Sequence, residues 1–131
     1  MRPKIVLWIG LLAGLASASS AETVPPIACN LKALTPVQRR QLDQASQRFV
    51  NAISGSRDLP DGYAFHVDPA KASLLEVAHL LDLWRRCCPF YEFRLDFHAA
   101  DAGLWLSVTG RPGVKQYLPL DSPRLAAKLP K

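Results

Sequence analysis

Residues 91–98 alternate without a break. Tyr91, Phe93, Leu95 and Phe97 are apolar, and Glu92, Arg94, Asp96 and His98 are polar. A period of two places each set on its own face of a strand. One face is core and the other meets water, the usual state of an antiparallel sheet covered on one side. Leu104, Leu106 and Val108 repeat the pattern against Trp105, Ser107 and Thr109, so 104–109 is the partner strand across a hairpin loop at 99–103. Tyr63, Phe65 and Val67, alternating with Ala64 and His66, make a third, shorter strand.

Helical signals stand between these strands. Thr35 is an N-cap, Pro36 fits the first helical position, and Gln38 completes a Thr-x-x-Gln capping box. Val37, Leu42, Ala45, Phe49 and Ile53 fall roughly on one face, and the helix ends near Ser54-Gly55. Leu59-Pro60-Asp61-Gly62 reads as a turn. Asp68-Pro69 opens a second helix whose apolar face is Leu74, Val77 or Ala78, Leu81 and Trp84. Gly110-Arg111-Pro112-Gly113 is a turn into one or two helical turns at 114–118. It lacks the Lys-Ser/Thr pair of a phosphate-binding loop. The order α-β-α-β-β-α predicts an α+β two-layer sandwich: a three-stranded, mainly antiparallel sheet with two to three helices.

The N-terminus speaks to compartment. Met1-Arg2-Pro3-Lys4 is basic, residues 5–16 are apolar, and Ser17-Ala18-Ser19-Ser20-Ala21 supplies small residues. That is the layout of a secretory signal peptide, with cleavage expected after Ala21 or, alternatively, Ala18. The apolar run is short for a membrane span, which needs about 20 residues. Lipidation at Cys29 or an uncleaved anchor are the weaker alternatives. The predicted organisation is therefore a signal peptide at 1–21, a Cys-containing lead-in at 22–34, an α+β domain at 35–118 and a Pro-containing tail at 119–131. Export places the chain in the periplasm or outside the cell, where disulfides persist. The formal charge of +5 falls to +3 without Arg2 and Lys4, and the basic residues are scattered. No nucleic-acid footprint is present.

Chemistry concentrates in Cys87-Cys88-Pro89. Two adjacent thiols end the second helix beside Arg85 and Arg86, and proline holds Cys88 in extended geometry. Cys29 is the third cysteine. An odd count in an exported chain implies a free thiol, an intermolecular bridge or a ligand set. One reading is a structural disulfide from Cys29 to Cys87 or Cys88. A second is a soft-ion site, because thiolates select copper(I) and, by extension, mercury or arsenite. Cys29, Cys87 and Cys88 would be the ligands, with Arg85 and Arg86 favouring the thiolates. The partial negative charge of the helix C-terminus opposes them. A third is thiol exchange within the trio. Without a Cys-x-x-Cys pair, a zinc ribbon or thioredoxin-like centre is not expected.

Other polar residues carry less. His66 and His98 lie on the outer faces of two strands and read as isolated surface histidines, with a shared metal site as the sharper alternative. His79 reads as a helix-flank residue. Glu92 and Asp96 are the outer face of a strand rather than a catalytic pair. No Gly-x-Ser-x-Gly motif is present. The chemical expectation is a small exported thiol protein that binds a soft metal or metalloid ion and does not catalyse a reaction. A redox or sensing domain, or an interaction domain with one structural disulfide, are the alternatives.

Four segments carry a resemblance. They are Cys29-Asn30-Leu31-x-Ala33-Leu34-Thr35-Pro36, Leu59-Pro60-Asp61-Gly62-Tyr63-Ala64-Phe65, Arg86-Cys87-Cys88-Pro89-Phe90-x-x-Phe93-x-Leu95, and Leu104-x-Leu106-x-Val108-Thr109-Gly110-x-x-Gly113-Val114-Lys115. Together they resemble a family of small, largely uncharacterised bacterial proteins, over about residues 29–118. Related segments occur with heavy-metal-responsive regulators, so the resemblance implies metal or metalloid handling. The chain departs from that pattern twice. Many relatives carry an acidic residue just before the Arg-x-Cys-Cys run, where this chain has Leu83-Trp84-Arg85-Arg86. Its signal peptide also moves the thiols into an oxidising compartment.

Overall fold

A computed structural model describes residues 24–131. The signal-peptide reading lies outside the described residues. A short 3-10 turn, Leu31–Ala33, precedes helix α1, Pro36–Ala52. Strands β1, Ile53–Leu59, and β2, Gly62–Val67, follow, then helix α2, Leu74–Cys87. Strands β3, Glu92–Phe97, and β4, Leu104–Thr109, lead to helices α3, Val114–Asp121, and α4, Pro123–Ala126. All pairings are antiparallel and the sheet order is β1-β2-β4-β3. The class is α+β, as expected, but the sheet has four strands rather than three.

The additional strand is β1. The expected turn region after α1 instead runs directly into Ile53–Leu59, which hairpins with β2 across Pro60-Asp61. Its residues Ser54, Gly55, Ser56, Arg57 and Asp58 carry no apolar alternation. As an edge strand it pairs on one side only, so backbone hydrogen bonds define it and its side chains need not read as core. A register shift between Ile53 and Gly55 leaves Ser54 as the extra residue of a bulge. Strands β2 and β3 both pair with β4, so α2 connects two parallel strands with an antiparallel strand between them, a split β-α-β arrangement.

Both long helices start where a reciprocal capping box forms. Thr35 Oγ1 accepts from the Gln38 N–H at 3.2 Å, and Gln38 returns the bond to the Thr35 N–H at 2.9 Å. In α2 the box is Ser73 with Glu76, five residues after the expected start at Asp68. Asp68 instead closes an Asx turn on the Ala70 N–H. The buried face also differs from the expected one. Val77, Leu80, Leu83, Trp84 and Cys87 are buried, while Leu74 and Leu75 are exposed and Leu81 is half-buried.

The core lies between the helices and one sheet face. Phe65, Val67, Leu104, Leu106 and Val108 meet Phe49, Val50, Val77, Leu80 and Trp84 there. Each such side chain stabilises by about 1.5–3 kcal/mol. The alternation of β3 holds, but its core decays along the strand: Tyr91 is buried, Phe93 and Leu95 are half-buried, and Phe97 is 62% exposed. β3 is the second edge strand, so its far end runs past the helix layer.

The segment expected to be a Pro-containing tail is folded. α3 continues through Pro119 to Asp121, and Leu125 in α4 is 1% exposed against the core. Gly113 opens α3 with φ of 100°, a left-handed geometry that glycine adopts without penalty. Among the described residues no helix is long and apolar enough to cross a membrane.

Candidate functional site

α2 ends on its two cysteines. The Cys88 N–H donates to the Trp84 carbonyl at 2.8 Å, and Pro89 prevents another turn. Cys87 and Cys88 are each 1% exposed. Cys88 is disulfide-bonded to Cys29, with Cα atoms 4.5 Å apart, and Cys87 is free. The Cys87 Sγ lies 3.5 Å from the Cys88 Sγ and 3.5 Å from the Trp84 carbonyl. The lead-in thus carries Cys29 to the corner, a meeting the sequence left open, and one pair is oxidised.

The lead-in is held there by more than sulfur. The Asn30 N–H donates to the Cys87 carbonyl at 2.7 Å, and the Cys29 N–H donates to Tyr117 Oη at 3.1 Å. Arg111 donates to the Pro25 carbonyl. The bridge closes a separation of 59 residues.

Asp121 completes the centre. Its carboxylate and the sulfurs of Cys29 and Cys88 all lie within 4.8 Å of one another. Tyr91 Oη donates to Asp121 Oδ2 at 3.2 Å. Burial raises the Asp121 pKa, and hydrogen bonds from Tyr91, Tyr117 and Trp84 offset part of the rise. Burial also pushes the Cys87 thiol up, and the nearby Asp121 carboxylate adds to it. The Tyr91 phenol rises for the same two reasons. The centre therefore favours neutral, protonated groups.

Arg85 and Arg86 do not serve the sulfurs as the sequence suggested. Both pair with Asp82 on the exposed side of α2, at 3.2 and 2.8 Å. The charge acting on Cys87 is that of Asp121, which has the opposite sign.

A cleft of about 620 Å³ opens over the centre. Apolar Phe49, Leu80, Trp84 and Leu125 line it together with Cys29, Cys87, Cys88, Tyr117 and Asp121. Arg39 and the Asp43–Arg124 ion pair lie towards solvent. An apolar cleft with a few convergent polar groups is the usual form of a small-molecule site.

Neither Tyr117 nor Asp121 stands out in the sequence: Tyr117 lies within the expected helical turns at 114–118, and Asp121 lies beyond their expected end before Pro119. Their spacing of four is the signal that was present: on a helix running past Pro119 they share a face. His66, expected as an isolated surface residue, is held between Ser54 and Asp101. Compared with family models, curated proteins and solved structures, the chain matches none.

Proposed function

We propose that the corner is a thiol–disulfide exchange centre. One observation carries this reading: a free thiol in contact with a bridge sulfur, lining a cleft, beside a carboxyl whose pKa burial raises. Cys29 is half-buried and Cys88 fully buried, so an incoming thiolate attacks Cys29 Sγ. The S–S bond breaks and the electron pair leaves on Cys88. Asp121, beside both bridge sulfurs and with its pKa raised by burial, is placed to pass a proton to that thiolate. A second external thiol then attacks the mixed disulfide, releasing Cys29 as a thiol. Two external thiols become one disulfide, and the protein gains two thiols. The raised Cys87 pKa keeps that thiol protonated and slow in the resting bridge. The signal-peptide layout of residues 1–21 supports a setting in which the bridge forms.

A second reading, soft-ion ligation, is favoured by the same convergence. Once the bridge is reduced, Cys29, Cys87 and Cys88 offer three thiolates, and Asp121 offers an oxygen beside them. Such a donor set selects copper(I), mercury or arsenite-type ions, and the family resemblance points the same way. In the oxidised state the bridge occupies two of the three sulfurs, so ligation depends on prior exchange.

Single-cysteine variants separate the readings. Cys88→Ser should trap a mixed disulfide on half-buried Cys29 with glutathione disulfide, whereas Cys29→Ser, whose remaining thiols are both buried, should form none while folded. Failure of Cys88→Ser to form an adduct in the folded state, or equal adduct formation in Cys29→Ser, removes the exchange reading. Binding of mercury or copper(I) by the reduced parent, lost in the triple Cys→Ser variant, would support ligation.

A further inference from the structure

We propose that Ser54, His66 and Asp101 form a second site, in which Ser54 is a nucleophile towards activated carboxylic esters. The three residues come from separate parts of the fold. Ser54 is the extra residue of the β1 bulge, His66 is on the outer face of β2, and Asp101 is in the β3–β4 loop. Ser54 Oγ lies 2.5 Å from His66 Nδ1, and His66 Nε2 lies 2.8 Å from Asp101 Oδ1.

The protons follow from Asp101. A carboxylate only accepts, so the nitrogen facing it carries the proton and Nδ1 is left as the acceptor. The Ser54 hydroxyl is then the donor to Nδ1. Asp101 is itself fixed, by the Gly103 N–H at 3.0 Å and Trp105 Nε1 at 3.3 Å. His66 first, then these donors, pull its pKa down and favour the carboxylate. The ring is fixed as well. A Cβ at Gly103 would come within 2.6 Å of His66 Nε2, so glycine is needed for the loop to close over the imidazole. Trp105 packs beside it at 5.1 Å between ring centroids, and Arg57 stacks over Trp105 at 3.9 Å.

This is the hydroxyl, base and orienting carboxylate of a nucleophilic relay. The two ring nitrogens are exchanged relative to the serine-protease arrangement, which changes the angle of approach and keeps the acid–base roles. Ser54 is exposed, so the nucleophile is reachable. In the step, Ser54 Oγ bonds to the ester carbonyl carbon while Nδ1 takes its proton. The carbon–alkoxy bond then breaks, and Nδ1 returns the proton to the leaving oxygen. The products are acyl-Ser54 and an alcohol. The site shares no residue with the cysteine corner, so either can fail alone.

The test is acylation of the full chain, bridge intact, by p-nitrophenyl acetate and by a fluorophosphonate, followed by peptide mapping. Ser56, two residues along the same strand, is the internal comparison. Expected is a single adduct at Ser54, absent in Ser54→Ala and slowed about 100-fold or more in His66→Gln, the typical worth of a positioned base. Asp101→Asn should slow it too, and circular dichroism should show each variant folded. An adduct rate at Ser54 equal to that at Ser56, or unchanged in His66→Gln, overturns the proposal. So does the absence of any adduct.

Discussion

Asp121 and Asp101 are the same residue type in opposite situations. Asp121 sits on the helix side, among Trp84, Tyr91, Tyr117 and three sulfurs, and burial pushes its pKa up. Asp101 sits at the outer face of the sheet, where donors from His66, Gly103 and Trp105 pull its pKa down. Hydrogen bonds reach both carboxyls. The sign differs because desolvation is the largest influence on one and minor for the other. The same side chain is thus shifted towards its protonated form on the helix side and towards its ionised form on the outer sheet face.

The largest test breaks the helix side. Cys29→Ala, or reduction of the bridge, frees a closed loop of about 60 residues. It should lower unfolding free energy by about 4 kcal/mol in the chain-entropy model, read by denaturant titration with and without reductant. Next is Leu125→Ala. If α4 docks as described, emptying this site costs about 2–5 kcal/mol and loosens the wall of the cleft. A change within about 0.5 kcal/mol would mean that the C-terminal segment is not part of the core.

That second test touches what the sequence could not show. The alternation of 91–98 and 104–109, and the capping box at Thr35, were legible because a period and a local hydrogen-bond pattern encode them. β1 was not, because an edge strand of Ser, Gly, Arg and Asp is defined by its partner's backbone. The meeting of three cysteines was legible as a possibility. Which pair bonds was not, since it depends on the path of the lead-in, set by Asn30, Tyr117 and Arg111. Asp121 was hidden because Pro119 read as a stop, whereas a short terminal helix can lose one backbone bond and continue.

The two aspartates then make opposite pH predictions. The folded pKa of Asp121 is above its unfolded value, so its contribution is full below the ordinary carboxylate range. It is lost as pH rises through the raised value. Asp121→Asn should remove that loss, making the variant progressively more stable relative to the parent across this window. Asp101 has a depressed folded pKa, so its contribution is present above the ordinary carboxylate range and lost as pH falls through the depressed value. Asp101→Asn should abolish this acid-side slope, and the effect should be the smallest of the set because the group is only partly buried and solvent screens it. Stability curves collected across the acid range check both signs. Parallel curves for the two variants would break the comparison.

The most direct measurement is thiol mapping of the native protein equilibrated at a series of thiol–disulfide ratios, by alkylation, intact mass and peptide sequencing. At the oxidised end the bridge should join Cys29 to Cys88, with Cys87 alkylated only after denaturation. As the buffer becomes more reducing, Cys29 and Cys88 should open together at a defined ratio while the fold persists, with the mixed disulfide on Cys29. A bridge that opens only when the protein unfolds, or a mixed disulfide found on no cysteine, would contradict an exchange centre and leave a structural staple.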